Sequence, residues 1–298
     1  MTEKGRVLHF PVDRSIGRLR RLIWKGERPR SELIGECRGE VSVATSDVLQ
    51  LTWAVDVTDL SPLAALQPDD LDSFELPRFW KGVERELAYV GRLTGLRELA
   101  LNECWCAFTE RGLAYLRSLR VLEVLYLDDI NLSDAALFQV RNLSTLQALF
   151  LTRAEISDAG ISVLSSFPRL QRLGMDFTRI SDLGLAHITP LTDLRELSLA
   201  RTQITGAALA RLSGLKRLQY LNVEETQVDD AALRDIFELP ALERLVLNET
   251  QVTDKGLEYL ALLTTLRDIW LKNTRVSPQG VDELRHALPG CVVHADPG

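Results

Sequence analysis

Ala241-Leu242-Glu243-Arg244-Leu245-Val246-Leu247-Asn248-Glu249-Thr250-Gln251-Val252-Thr253-Asp254-Lys255-Gly256-Leu257 is the unit from which most of the chain is built. Leu247 has counterparts at Leu127, Leu151, Met175, Leu199, Val223 and Leu271, and each step (151 − 127, 175 − 151 and onward) is 24 residues. A fixed period of this length marks a stacked array, in which each unit leaves an apolar face that only its neighbour can cover. The repeat predicts one continuous body, because an array grows without enlarging a single core.

Within the unit, Leu-x-x-Leu-x-Leu carries the period of two that a strand requires, with Leu245 and Leu247 inward and Val246 outward. A threonine with an apolar residue two places on follows, as in Thr178/Ile180, Thr202/Ile204, Thr226/Val228, Thr250/Val252 and Thr274/Val276. The chain must turn there, and a hydroxyl beneath the strand can bond main-chain groups that an alkyl side chain would leave unpaired. Ser133-Asp134, Ser157-Asp158, Ser181-Asp182 and Thr253-Asp254 then supply oxygens for the first amides of a helix. Leu185/Ile188/Leu191 and Leu257/Leu260/Leu263 give that helix its inner stripe. Strands joined through helical returns are parallel, so the fold class is α/β, a right-handed solenoid or arc with a concave parallel sheet and a helical convex side.

The flanks fit the array less well. Residues 1–45 read as an N-terminal β cap, with strands at Val7 to Pro11, Leu19 to Trp24 and Cys37 to Val43. Residues 46–95 hold degenerate repeats, in which Leu51, Leu76 and Leu101 stand 25 apart and Asp69 to Trp80 loops out. Residues 96–290 are regular repeats, and 291–298 are a closing strand, Cys291-Val292-Val293, and a tail. The step from Leu101 to Leu127 is longer by two, which places a bulge at Trp105-Cys106-Ala107, with Trp105 either presented to solvent or tucked over the next repeat.

The pattern L-x-x-L-x-L-x-x-T-x-[IV]-[ST]-D-x-G-L resembles the leucine-rich repeat, in the 24-residue bacterial form similar to ribonuclease-inhibitor-like and F-box-associated repeats. The resemblance is strong over about residues 96–290 and weak over 48–95. It implies the solenoid fold and protein recognition in general. The turn position departs from the family's usual asparagine or cysteine, being mostly Thr, with Cys104, Ile130 and Ala154 in the early repeats.

Reaction chemistry leaves little trace. His9, His187, His286 and His294 lie in unrelated positions, and Cys104 and Cys106 form C-x-C instead of C-x-x-C, so neither a metal site nor a cofactor is expected. Neither a phosphate loop nor a nucleophile elbow is present. A net charge of −7 disfavours nucleic acid and anionic lipid as partners. The opening Met1 to Gly5 runs straight into strand-like residues with no apolar leader, and nothing approaches a membrane span, so a cytoplasmic location is expected.

The outward-facing residues carry the functional expectation. They run Ala100, Tyr126, Phe150, Gly174, Ser198, Asn222, Val246 and Trp270 in one column, with Tyr126 and Phe150 as neighbours. Asp128, Asp129, Asp176 and Phe177 lie beside it, and Glu224, Glu225 and Glu249 further on. Tyr126, Phe150, Phe177 and Trp270, flanked by Asp128, Asp129 and Asp176, form a candidate binding surface for a protein or peptide with a basic patch. The same residue types also suit exposed strands through propensity and solubility alone. The expected function is a recognition scaffold without catalysis. The alternative is a hydrolase or transferase with its site in the non-repeat N-terminal region.

Overall fold

In the computed structural model the described residues are 5–24, 29–104 and 108–296. They divide into two compact units, residues 1–146 and 147–298, where the repeat by itself predicts one body. Trp105, Cys106 and Ala107, and with them the expected bulge, lie outside the described residues.

The first unit holds β1 (Gly5–His9), β2 (Gly17–Trp24), β3 (Pro29–Glu36), β4 (Glu40–Ala44), β5 (Leu49–Trp53), β6 (Ser73–Glu75), β7 (Glu98–Ala100) and β8 (Val124–Tyr126). β1 pairs antiparallel with β4, and β2 antiparallel with both β3 and β5. From β5 to β8 every pairing is parallel. The strand expected from Cys37 to Val43 begins later, as β4, and the eight-residue β3 before it was not expected, since its polar start, Arg30-Ser31-Glu32, carries no apolar alternation to announce it.

Register corrects the early repeats. Leu51 pairs with Phe74 and Phe74 with Leu99, so the first step is 23 (74 − 51), not 25. The residue two beyond Leu51 is Trp53, 2% exposed, which packs edge-on against Phe74 and fills the place a leucine holds in later coils. Asp69 to Trp80 does not loop out: β6 lies within it, and Trp80 is fully buried. Phe79, at φ 62, takes the left-handed turn that Glu103 and Asp129 take in the next two coils. Trp80 therefore occupies the turn position that Cys104 and Ile130 hold afterwards. An indole there hides the repeat from a leucine count.

The second unit holds β9 (Ala148–Phe150), β10 (Arg172–Gly174), β11 (Glu196–Ser198), β12 (Tyr220–Asn222), β13 (Arg244–Val246), β14 (Asp268–Trp270) and β15 (Val292–His294), each parallel to the next. Inward leucines on both sides of each outward residue are removed from water, Leu245 and Leu247 completely. Burial of each such side chain contributes roughly 1.5–3 kcal/mol.

Turn chemistry repeats with the coils. The hydroxyls of Thr178, Thr202, Thr226, Thr250 and Thr274 each donate to the carbonyl three residues back, at 2.6–2.7 Å. The residue before each threonine, from Phe177 (φ 57) to Asn273 (φ 54), is left-handed without being glycine. That costs of order 1 kcal/mol or more each. An inter-coil bond offsets it, since the amides of Arg153, Phe177, Arg201, Glu225 and Glu249 donate to carbonyls of the following coil at 2.8–2.9 Å.

The returns are short. Gly160–Ser166 and Gly184–His187 are 3-10 turns instead of α-helices, whereas Asp230–Ile236, Asp254–Leu260 and Pro278–Ala287 are α-helical. A 24-residue coil leaves the return little chain, and the tighter 3-10 winding covers more length per residue. Ser133 and Thr253 cap their helices as expected, and Ser277 caps the last one, with Pro278 in the first turn after it.

Candidate functional site: the open face of the strands

In the second unit the register sets Phe150, Gly174, Ser198, Asn222, Val246, Trp270 and His294 in one row across seven strands. Phe150 and Trp270 stand half-exposed near its ends. Five strand steps separate them, about 24 Å at about 4.8 Å each. Between them the residues are small or short. Gly174 is bare because the Phe150 ring leans across it, with Cδ1 3.0 Å from where a Cβ would sit. Val246, read as outward, is only 8% exposed.

Phe177 is 37% exposed, and two guanidinium groups lie over its ring. The Arg153 guanidinium lies 4.5 Å from the ring centroid and that of Arg201 lies 4.7 Å from it. Arg201 also pairs with Glu225. Asp176, its neighbour, accepts from the Ser198 hydroxyl at 2.6 Å and the Ala200 amide at 2.8 Å. Burial pushes its carboxyl above the usual aspartate range, while those two donors pull the other way. Tyr220, one strand on from Glu196, is likewise raised by burial and by the Asp176 charge. Trp270 stacks on His294 at 4.8 Å and 11°, and His294 Nε2 lies 3.6 Å from Asp268.

Sequence reasoning counted rings and acids and missed the arginines. Arg172 lies 5.7 Å from the Phe150 ring, and Arg244 lies 4.9 Å from Tyr220 and 3.7 Å from Glu196. The open face of this unit is therefore mixed in charge. The 48-residue spacing of Arg153 and Arg201 around Phe177 was the available signal.

Tyr126, Asp128 and Asp129 belong to the first unit. Tyr126 borders a cavity of about 190 Å³ with Gln50, Ser73, Glu75, Glu98, Ala100 and Asn102. The Asp128 amide donates to Asn102 Oδ1 at 2.9 Å, and Asp129 takes the left-handed turn at φ 55. The seven candidate residues thus form two groups, one in each unit.

A groove of about 550 Å³ beside the N-terminal strands includes Ser15, whose hydroxyl donates to Glu36 at 2.6 Å, and Trp53. No histidine or cysteine is among its described lining residues. Among the described residues no His, Cys, Asp and Glu gather in a group of three or more that could hold a metal ion, and no helix is long and apolar enough to cross a membrane.

The Leucine Rich repeat family model matches residues 239–261, which lie across one coil of the second unit. No curated protein matches the sequence. Among solved structures, an internalin (inlF) from Listeria monocytogenes is similar at 22% identity, over 81% of this chain and 77% of that one, with a TM-score of 0.55. The plant peptide hormone receptor RGFR1, in complex with RGF2, is similar at 17% identity over 79% of this chain and 41% of that one, with a TM-score of 0.50. At these identities the likeness speaks to fold. With the 24-residue period, the parallel register and the family match inside one coil, it gives this chain the leucine-rich-repeat fold.

Proposed function

We propose that the chain is a recognition scaffold without catalysis, which binds a protein or peptide along the open face of its strands. The observation that carries this reading is the row from Phe150 to Trp270. It has half-exposed rings near both ends and short side chains between, over about 24 Å, which about seven residues of extended peptide would span. Rings of this kind are the usual anchors of an interface. That a protein of similar fold is a peptide hormone receptor in complex with RGF2 is consistent with such a use.

In this reading Phe150 and Trp270 anchor the partner, and Phe177 contributes its partly exposed ring. Tyr126 contributes a further ring in the first unit. Asp128, Asp129 and Asp176 favour a partner with a basic patch, and Asp176 acts from a partly buried, hydrogen-bonded position.

A photo-crosslinking residue placed at the exposed Lys272, beside Trp270, tests this against one at the exposed Glu258 on the helical return. In extract from the source cells a protein adduct forms at Lys272 and not at Glu258. Phe150→Ala with Trp270→Ala abolishes the adduct while leaving the circular dichroism unchanged. Equal adducts from both positions, or an adduct indifferent to the two rings, would overturn the proposal.

A further inference from the structure

Arg172, on β10, shares the open face of the second unit with Gly174, two residues on along the same strand. Its in-register neighbours are Ala148 on β9 and Glu196 on β11, each about 4.8 Å away across the ladder. Glu196 is placed to be its ion-pair partner. That carboxylate turns away instead, past Tyr220, to the Arg244 guanidinium at 3.7 Å. Arg201 is likewise taken, by Glu225. Among the described residues no carboxylate pairs with Arg172.

Arg172 is half-buried, and its guanidinium lies 5.7 Å from the Phe150 ring centroid, so the ring displaces part of its hydration. Ala148 and Gly174 have no polar side-chain atom to offer it. The fold thus holds a planar cation beside one of the two anchor rings and leaves its charge unmatched. On the same face Arg244 shows the matched arrangement, a guanidinium 4.9 Å from the Tyr220 ring and paired with a carboxylate.

We propose that Arg172 receives the side-chain carboxylate of an aspartate or glutamate of the partner, next to the apolar residue that seats on Phe150. A flat fork meets a carboxylate with two parallel hydrogen bonds, and an arginine beside an aromatic ring is a common centre of binding energy. A phosphate calls for further donors, which one guanidinium does not supply. A chain-terminal carboxylate is captured by free main-chain amides, and those of β9 to β11 are taken up in the parallel ladder. The inference rests on the open face being the recognition surface and deepens that reading, because it gives the partner an acid at the Phe150 end in addition to its basic patch.

The test uses the full chain, immobilised, and a phage-displayed library of random linear peptides. Ring-dependent peptides are those that the parent chain selects and that Phe150→Ala with Trp270→Ala no longer holds. They carry Asp or Glu at one position beside an apolar residue, about tenfold over Asn or Gln there. On Arg172→Gln that preference is lost, and on Arg172→Glu it reverses to Lys or Arg. Either variant decides alone once its circular dichroism matches the parent. No acid preference, one that persists on Arg172→Gln, or one that stays acidic on Arg172→Glu would overturn the assignment. Ring-dependent peptides without the acid defeat this inference alone and leave the recognition reading standing. A library from which no ring-dependent peptide emerges counts against the open face itself and takes the inference with it, so the two failures are told apart.

Discussion

Asp230 grips Thr253 of the next coil with both oxygens, accepting from its amide at 2.7 Å and from its hydroxyl at 2.6 Å. The same clasp joins Asp158 to Ser181, Asp182 to Thr205 and Asp254 to Ser277. The Ser/Thr-Asp pair thus divides its labour: the hydroxyl residue serves its own turn, and the carboxylate ties one coil to the next. The ladder breaks at Gly206. A Cβ there would sit 2.7 Å from Asp229 Oδ1, and an aspartate in its place would set two carboxylates face to face. Hydrogen bonds to a charged group contribute about 1.5–3 kcal/mol each, less where water competes as at the partly exposed Asp230, so Asp230→Ala is expected to lower the unfolding free energy by about 2–3 kcal/mol in urea titrations. A loss no larger than that of Glu258→Ala, on an exposed helix position, would show that the clasp carries no weight.

The threonine beneath each strand offers a second check. Thr250→Val keeps the shape and deletes the bond to the Leu247 carbonyl, at a site where Thr250 is 5% exposed and Leu247 fully buried. The unpaired carbonyl costs about 1–3 kcal/mol. Thr274→Val, at a half-buried position, should cost less, and the comparison of the two urea midpoints tests whether burial sets the value.

Rings on the open face and leucines in the core should separate cleanly. Leu199→Ala, at a fully buried site, is expected to cost roughly 2–5 kcal/mol. Tyr126→Ala with Phe150→Ala, at half-exposed sites, should cost clearly less and weaken partner capture. Equal losses in thermal unfolding would make those rings structural and remove them from the candidate surface.

Asp176 predicts a pH dependence of known sign. Burial raises its carboxyl above the ordinary range, so the folded chain holds that proton more tightly than the unfolded one. Its contribution to stability is therefore full below the unfolded value, near 3.9, and is lost as pH rises through the raised folded value. Asp176→Asn keeps an oxygen for the Ala200 amide and removes the buried charge. Relative to the parent, this variant is expected to be more favourable at about pH 7 than at about pH 4 in urea titrations. An equal difference at both would refute the assignment of the raised carboxyl.

Much of this was legible in the residues. Seven strands at 24-residue steps, the buried leucines, the threonine bonds and the caps at Ser133, Thr253 and Ser277 all follow from local periodicity and hydrogen-bonding capacity. The early coils were not, because Trp53 and Trp80 fill positions that a leucine or threonine count searches for. A strand such as β3, pinned by pairing with β2 and not by its own pattern, gave no signal either.

By itself the sequence determined the period, and with it the parallel strands and the row of residues that faces outward, because a 24-residue unit that alternates apolar and polar positions has one way to bury its leucines. Only the tertiary structure decided what those outward residues touch. Arg153 and Arg201 lie over Phe177, and Trp270 stacks on His294. Those contacts join residues about one coil apart, and long side chains reach neighbours that spacing along the chain does not name.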